Sequence, residues 1–274
     1  MQSSQQLYSA LAHRYREHFE SPHRRAYDAM AWDEVRPFLP DRGPIVDVGC
    51  GVGRWVEPLL ALGYEVIGIE PAPGMIAELR RADHGQAFRL ISEPMEAVQL
   101  PRGSAGMVLA LGSLQYSADP EAMVRRFASW VRPGGSVVVL VDSLVALLIE
   151  LLREEKYEEA VQRLRTRIGV WVVDGQSAEM HLMDAERLRR AFQAAGLVDV
   201  QVTGLLATAA PLGPARLADR LERDWDTHLG IERELQAHPE LADIGKQLLA
   251  TGRRAAAGAG DAGDRDPRGL EAGG

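Results

Sequence analysis

A glycine-rich segment near residue 50 constrains the fold more than any other feature of the chain. Residues 46–53 read Val-Asp-Val-Gly-Cys-Gly-Val-Gly, after an apolar run that begins at Ile45, and helical spacing starts at Arg54. Glycine adopts positive φ without strain and lets a ligand approach bare backbone. The N-terminus of the following helix offers unpaired N–H groups to a carboxylate or phosphate. The segment therefore predicts a strand, a tight turn and a helix that together form a ligand site.

The rest of the chain alternates strand-like and helix-like segments, which predicts an α/β, doubly wound parallel sheet covered on both faces. A helix that begins at Asp184 and ends before Gly196 follows, with both residues as caps. A stripe from Leu217 to Leu229 then predicts one long helix. Strands are predicted over 44–48, 65–69, 87–91, 106–111, 135–142, 198–206 and 246–253.

Three further segments complete the organisation of the chain. Residues 1–41 precede the first strand and have helical spacing, and 42–254 form the main domain. Within it, 143–183 is an insertion that predicts two helices and a hairpin turning at Asp174-Gly175. The insertion is either a substrate lid or a packing or dimer element. Residues 255–274 are rich in Ala, Gly, Asp and Arg, which predicts a disordered tail.

Composition excludes several classes of function. The formal net charge is −8, and no Lys/Arg cluster interleaves with aromatic residues, so we expect no nucleic-acid partner. The single cysteine, Cys50, excludes an intramolecular disulfide framework and a Cys-rich metal site. The longest apolar stretch, 144–152, is too short to span a bilayer, and no apolar N-terminal run indicates a signal peptide. We expect a cytoplasmic protein without membrane contact.

The order of residues in the glycine segment discriminates between cofactors. The dinucleotide fingerprint requires a third glycine where Arg54 stands, which counts against a nicotinamide-dependent oxidoreductase. The observed order, with Asp47 ahead of three glycines spaced two apart, resembles motif I of the class I S-adenosylmethionine (SAM)-dependent methyltransferases. Glu70 after the second strand and the loop at 131–135, Val-Arg-Pro-Gly-Gly, strengthen the resemblance. It implies a Rossmann-like, mostly parallel seven-stranded sheet with an antiparallel last strand.

The resemblance also assigns cofactor contacts. Asp47 receives the SAM ammonium, directly or through water, and the turn N–H groups receive its carboxylate. Glu70 accepts from the ribose hydroxyls at the carboxyl edge of the sheet. Met75 either covers the adenine face or packs in the core. Tyr15 on the N-terminal lid helix either closes over SAM or packs against the core. The remaining predicted cofactor residues are Gly49, Cys50, Gly51, Gly53, Pro71, Glu93, Met95, Leu111 and Gly112.

One departure from the family lies after the third strand. Members usually carry a Gly-Asp-Ala-like turn whose acid meets adenine, and this chain has Ile-Ser-Glu-Pro-Met-Glu over 91–96. Glu93 is the substitute acid, with backbone groups near Met95 as the alternative.

Candidate catalytic residues follow from the chemistry. Methyl transfer is an in-line displacement, and a base is needed only when the acceptor must lose a proton. Asp142 ends the fifth predicted strand. His181 lies on the predicted hairpin, and a surface strand histidine is the favoured alternative for it. Tyr116 either faces substrate or is a buried aromatic residue at a helix start. No pair of residues has a trusted metal-ligand spacing, so we predict no metal.

The resulting prediction is a SAM-dependent methyltransferase that acts on a small molecule, a natural-product intermediate. Oxygen is favoured over nitrogen or carbon as the accepting atom. The alternatives are a modified peptide, including its C-terminal carboxylate, a nicotinamide oxidoreductase, and a non-catalytic SAM-binding protein. A homodimer is one option for the oligomeric state, which the sequence leaves open, as it does the identity of the acceptor.

Overall fold

The computed structural model describes residues 3–18 and 20–256, and for residues 16–18 the backbone alone. The tail predicted over 255–274 therefore lies outside the described residues from 257 onward. The strands are β1 Ile45–Val48, β2 Val66–Ile69, β3 Phe88–Ile91, β4 Ala105–Leu111, β5 Val131–Asp142, β6 Ile168–Val173, β7 Gln176–His181, β8 Leu197–Leu205 and β9 Gln247–Arg254.

Helices surround these strands and also form the N-terminal part of the chain. The α-helices are α1 Ser4–His18, α2 Pro22–Val35, α3 Val56–Ala61, α4 Pro73–Leu79, α5 Pro120–Trp130, α6 Leu144–Arg153, α7 Tyr157–Thr166, α8 Ala185–Ala194, α9 Ala209–Leu212, α10 Pro214–Arg223 and α11 Trp225–Gln236. Short 3-10 helices cover Arg36–Phe38, Leu114–Tyr116 and Pro239–Ile244.

Seven strands form one sheet in the order β3-β2-β1-β4-β5-β9-β8. The first five are parallel, and β9 runs antiparallel to both β5 and β8, which confirms the predicted fold class. The chain reverses its order across the sheet between β1 and β4. Open α/β sheets bind ligands at the carboxyl ends of the strands at such a switch point. The glycine turn, which follows β1, is therefore at the expected position for a ligand site.

The sheet separates two hydrophobic clusters because successive side chains of a strand face opposite sides. On β5, Val137, Val139 and Val141 join one cluster, and Val138 and Leu140 join the other. The first cluster is covered mainly by α5 and α8, and the second by α2, α3 and α10. Burial on both faces explains why β5 reads as an unbroken apolar run.

The N-terminal helix and the insertion meet over the carboxyl edge of the sheet. The insertion consists of α6, α7 and the two-stranded hairpin β6–β7, which turns at Asp174-Gly175 as predicted. Leu7 and Leu11 of α1 pack against Ala178 of β7. These contacts bring α1 and the hairpin together, in the arrangement that a lid requires. The alternative role of the insertion as a dimer element stays a prediction.

One long helix was predicted around Leu217 to Leu229, and this prediction was wrong. The structure divides the segment at Asp224, whose backbone is extended (φ −154°, ψ 82°). The Asp224 carboxylate accepts a hydrogen bond from the Thr227 N–H at 3.1 Å and so begins α11. Aspartate favours this capping arrangement over a helix interior. None of the described helices is both long enough and apolar enough to cross a lipid bilayer.

Candidate active site

The glycine turn is built by backbone geometry that other residues adopt with strain. Gly49, Gly51 and Gly53 have φ values of +76°, +56° and +89°. The N–H groups of Gly49 and Cys50 both donate to the carbonyl oxygen of Ile69, at 2.7 and 3.2 Å, which ties the turn to the end of β2. A Cβ on Gly49 would lie 2.5 Å from the Cβ of Ser113, so a close approach also requires glycine there.

Glu70 connects the glycine turn with the start of α4. It is 6% exposed; its Oε2 accepts from the Gly51 N–H at 2.9 Å and its Oε1 from the Ala72 N–H at 2.8 Å. Burial raises the pKa of this carboxyl, and the two backbone hydrogen bonds oppose the rise. An ionised carboxylate has about four acceptor positions, so Glu70 can still accept hydrogen bonds from a ligand.

Asp47 lies beneath the turn as a buried carboxylate. It is 2% exposed, and its Oδ2 has no hydrogen-bond partner among the described residues. Burial raises its pKa to about 7; the positive charge of Arg54 lowers it and the negative charge of Glu70 adds to the rise. Asp47 does not line the cavity described below. The predicted contact between Asp47 and the ligand ammonium is therefore not provided by the lining of this cavity.

The turn N–H groups are less available than the sequence predicts. The Gly49, Cys50 and Gly51 N–H groups donate to Ile69 and Glu70, and the Gly53 N–H donates to the Cys50 carbonyl at 2.9 Å. Among the described residues, two arginines, Arg24 and Arg54, line this end of the cavity.

Sequence reasoning missed both arginines as candidate ligands. It noted Arg54 only as the residue that replaces a third glycine. Arg54 pairs with Asp28, and its guanidinium lies 5.3 Å from the ring centroid of Tyr27. The one available signal for Arg54 was its place next to an anion-binding turn. For Arg24 on α2 the sequence has no signal, because only packing brings that helix to the cavity.

A cavity of about 360 Å³ lies at the carboxyl edge of the sheet, between the strand ends, α1 and the hairpin. The structure brings together most of the predicted residues around it. Met75 lines the cavity and is also packed with Ala12, Val52 and Ala72, and its contact with adenine stays a prediction. The predicted residues that line the cavity are Tyr15, Gly49, Gly51, Glu70, Pro71, Met75, Met95, Leu111, Gly112, Tyr116 and Asp142.

Four other predicted residues lie outside the cavity lining, besides Asp47. The side chain of Cys50 is buried against Gly68, and Gly53 packs against Leu79. Glu93 is exposed to solvent. His181 alternates on its strand with Met180 and Leu182, which both line the cavity, so its side chain points to the opposite side. The interpretation of His181 as a surface strand residue therefore fits the structure, and the catalytic interpretation does not.

The end of the cavity remote from the turn is organised around Asp142. The Gln115 amide donates to Asp142 Oδ2 at 2.7 Å, and the Gln115 Oε1 accepts from the Asp142 N–H at 2.9 Å. The Gln247 amide donates to Asp142 Oδ1 at 3.3 Å. Gln115 and Gln247 are both buried and both line the cavity. The carboxylate is therefore held in position by two amides, and neither glutamine was among the predicted site residues.

Three aromatic rings form the wall next to Asp142. Tyr8 lies 5.5 Å from Tyr116 in an edge-to-face arrangement and 5.3 Å from Trp171, measured between ring centroids. The Tyr8 hydroxyl donates to the Tyr116 hydroxyl at 3.2 Å. Burial raises the pKa of both tyrosines, so both hydroxyls stay protonated at neutral pH. The wall is therefore uncharged and joins α1, the segment after β4, and the hairpin.

A family model described as a methyltransferase domain matches residues 15–202, which is more than half of the chain. The chain belongs to this family. Together with the solved structures it resembles, this makes it a SAM-dependent methyltransferase with a Rossmann-like fold, and its cofactor is S-adenosylmethionine. The assignment of the glycine turn to the cofactor stays a prediction.

Curated relatives of this methyltransferase include two bacterial proteins named ubiquinone biosynthesis O-methyltransferase. The one from Methylobacterium nodulans is 29% identical over 183 residues, which cover 66% of this chain and 69% of the relative. The one from Pseudomonas paraeruginosa is 32% identical over 138 residues, 47% of this chain and 58% of the relative. The chain thus spans only part of the length of the relatives it matches.

Among solved structures, a SAM-dependent methyltransferase from Mesorhizobium loti superposes with a TM-score of 0.55 at 19% identity. The match covers 81% of this chain and 97% of the Mesorhizobium loti chain. At that identity the likeness supports the fold and carries no statement about the acceptor.

Proposed function

We propose that this methyltransferase transfers a methyl group to a hydroxyl oxygen of a small molecule, a natural-product intermediate. The observation that carries the proposal is that one cavity is lined both by the cofactor turn with Glu70 and by Asp142 with Tyr116. The cavity volume of about 360 Å³ lies in the range of small-molecule sites, about 300–1,000 Å³. The name of the two curated relatives favours oxygen as the accepting atom.

The cofactor half of the cavity fits S-adenosylmethionine in its donor set. Glu70 would accept from the ribose hydroxyls, and Met75 would cover the adenine. The guanidinium groups of Arg24 and Arg54 would hold the carboxylate of the amino acid end. A Cβ on Gly112, which has φ +88°, would meet no protein atom within 4 Å, and this residue lines the cavity. The absence of a side chain there leaves room for a ligand.

When bound, S-adenosylmethionine supplies a methyl group on a positively charged sulfur, and the sulfur leaves as a neutral thioether. The residues of the chain therefore have mainly to align acceptor and donor, and such alignment contributes up to about 7–11 kcal/mol in favourable systems. Asp142 and Tyr116 would orient the acceptor, and the Asp142 carboxylate would accept the proton that the hydroxyl releases. Leu7 and Leu11, which pack α1 on the hairpin, would help to exclude water from the cavity. The natural-product assignment rests on the helical N-terminus and the insertion, which resemble those of secondary-metabolite methyltransferases.

A matched pair of glycine variants tests the site. Gly112 and Gly63 have nearly equal φ values, +88° and +87°, and neither has a protein atom within 4 Å of its built Cβ. Gly112 lines the cavity, whereas Gly63 is exposed after α3. Valine imposes similar backbone strain at both positions, but at Gly112 it also enters the cavity. We expect Gly112→Val to weaken S-adenosylhomocysteine binding in calorimetry by at least about ten-fold, and Gly63→Val to leave binding unchanged.

Equal affinities in the two variants would contradict the cavity assignment, and wild-type binding of NAD in place of S-adenosylhomocysteine would favour an oxidoreductase. The acceptor itself is sought by mass spectrometry of host metabolites incubated with the protein and methyl-labelled S-adenosylmethionine. A labelled ether would support oxygen as the accepting atom, and a labelled amine or peptide carboxylate would replace that part of the proposal.

A further inference from the structure

The two ends of the cavity differ in charge. Arg24 and Arg54 line it near the glycine turn, and Asp142 lines it at the end of β5. Among the described residues, Asp142 forms no ion pair, and the hydrogen bonds to its carboxylate come from the neutral amides of Gln115 and Gln247. Lys246 also lines the cavity, but its ammonium is held by both Glu150 oxygens, at 2.8 and 2.7 Å. The acceptor end therefore carries a negative charge without a cationic partner.

Aromatic side chains line the same cavity, and the charge of Asp142 acts on Tyr8 and Tyr116 among them. Tyr8, Tyr116 and Trp171 all line the cavity and contact one another as a continuous wall. Aromatic ring faces are negative and attract cations within about 6 Å of their centroids, most strongly where water is excluded. A carboxylate beside such a wall is the combination that binds an ammonium group. A neutral acceptor would gain a hydrogen bond to the carboxylate but no ion pair, and an anionic acceptor would be repelled.

One buried hydrogen-bond acceptor at this end has no donor among the described residues. The Gln247 side chain is 8% exposed and lines the cavity, and its Oε1 has no partner among the residues that the structure describes. Buried acceptors without a donor are rare in folded proteins. An ammonium group carries up to three N–H donors. It could therefore donate hydrogen bonds both to the Asp142 carboxylate and to the Gln247 Oε1.

We infer that the acceptor of this methyltransferase carries a positively charged nitrogen, held between the Asp142 carboxylate and the rings of Tyr8, Tyr116 and Trp171. The inference rests on the proposed function and narrows it to amine-bearing acceptors. It concerns how the acceptor is bound. The ammonium nitrogen has no lone pair to offer to a methyl group, so the accepting atom stays the hydroxyl oxygen.

Calorimetry on the full chain saturated with S-adenosylhomocysteine tests the inference. The probes are pairs of equal shape that differ in charge at neutral pH: phenethylamine with phenethyl alcohol, and cyclohexylamine with cyclohexanol. We expect the amine of at least one pair to bind about ten-fold more tightly than its alcohol. Asp142→Asn should reduce that preference to within about two-fold while S-adenosylhomocysteine affinity stays at the wild-type value.

Glu222→Gln is the matched control, because it removes the same charge from an exposed residue of α10 that lies outside the cavity. It should keep the full preference for amines. Trp171→Leu is a second variant on the hairpin and should weaken amine binding about three- to ten-fold without changing the affinity for the alcohols. If Asp142→Asn does not fold, Trp171→Leu still tests whether this end of the cavity prefers amines.

Equal binding of amines and alcohols, or no binding of any amine, in protein that binds S-adenosylhomocysteine would overturn this inference alone. Failure to bind S-adenosylhomocysteine would overturn the proposed function and the inference together. The sulfonium of the cofactor is itself a cation. If Asp142→Asn weakens S-adenosylmethionine binding but not S-adenosylhomocysteine binding, Asp142 recognises the sulfonium, and the inference about the acceptor falls.

Discussion

We call the part of the cavity around the glycine turn and Glu70 the cofactor half, and the part around Asp142 the acceptor half, after the roles proposed for them. The two halves are built in different ways. In the cofactor half, the bond between Gly51 and Glu70 joins residues 19 positions apart, and the bond between Glu70 and Ala72 spans two. In the acceptor half, the Tyr8 and Tyr116 hydroxyls are 108 positions apart, and Gln247 and Asp142 are 105 apart. One half is local to a single strand–turn–helix unit and its neighbour, and the other depends on distant segments.

The difference suits the two tasks of a methyltransferase, which binds a constant cofactor and an acceptor that differs between enzymes. The cofactor is constant, and its turn requires particular backbone conformations at fixed positions, which glycine alone meets without strain. The acceptor half lies on α1, the segment after β4 and the insertion, which surround a rigid sheet. Segments of this kind change specificity without disturbing the core.

The largest effect is expected for Asp47→Asn, which replaces the buried carboxyl of the cofactor half and should change how the free energy of unfolding depends on pH. The pKa of Asp47 is raised from 3.8 to about 7, so the folded protein holds a proton there that the unfolded chain has lost. The free energy of unfolding therefore decreases as pH rises from about 4 to about 7, by at most about 4 kcal/mol from this group. Asp47→Asn should lack that decrease, as measured by denaturant unfolding across the pH range.

Asp226→Asn, at an exposed position of α11, is the control and should follow the wild-type pH curve. If the unfolding free energies of Asp47→Asn and wild type change with pH in parallel, then Asp47 does not have a raised pKa. The two halves would then not differ in containing a buried carboxyl of raised pKa.

A smaller effect is expected for Glu70→Gln, which replaces one acceptor oxygen by an amide that cannot accept from a backbone N–H. Leaving one buried N–H without an acceptor costs about 1–3 kcal/mol of unfolding free energy. The affinity for S-adenosylhomocysteine should fall about ten-fold or more, because the charged acceptor for the ribose is also lost. Thermal unfolding and calorimetry measure the two quantities. Glu65→Gln, at an exposed position just before β2, should change neither, and equal behaviour of the two variants would refute the role of Glu70.

The smallest effect is expected at the outer edge of the acceptor half, in Asp174→Asn. Arg14 of α1 pairs with Asp174 of the hairpin turn at 3.0 Å, and the two side chains are 61% and 55% exposed. Exposed pairs contribute about 0–1 kcal/mol and are screened by salt. Asparagine tolerates the positive φ of +48° at this position.

We expect a decrease of less than about 1 kcal/mol in unfolding free energy at low salt, no difference from wild type at high salt, and unchanged S-adenosylhomocysteine affinity. A larger loss would indicate that this ion pair, rather than the apolar contacts of Leu7 and Leu11 with the hairpin, holds α1 over the cavity.

Much of the cofactor half was predictable from the sequence. Three glycines after a short apolar strand require a turn with positive φ, and an acid after the next strand must come to the same sheet edge when the strands are parallel. The sequence also predicted the order of strand and helix segments and the hairpin turn at Asp174-Gly175. These features depend on backbone preferences and on side-chain alternation, which act over a few residues and are visible in the order of amino acids.

Other features were decided by the tertiary structure. Strand alternation turns His181 away from the cavity, and helix packing brings Arg24 of α2 and Tyr8 of α1 to it. The hydrogen bonds from Gln115 and Gln247 define the acceptor end around Asp142, although their positions in the sequence indicate no relation to that residue. All of these features depend on how separate segments of the chain pack on the sheet. A single sequence carries little signal for contacts of that kind, because the free energy that selects them comes from burial and pairing between residues far apart in the chain.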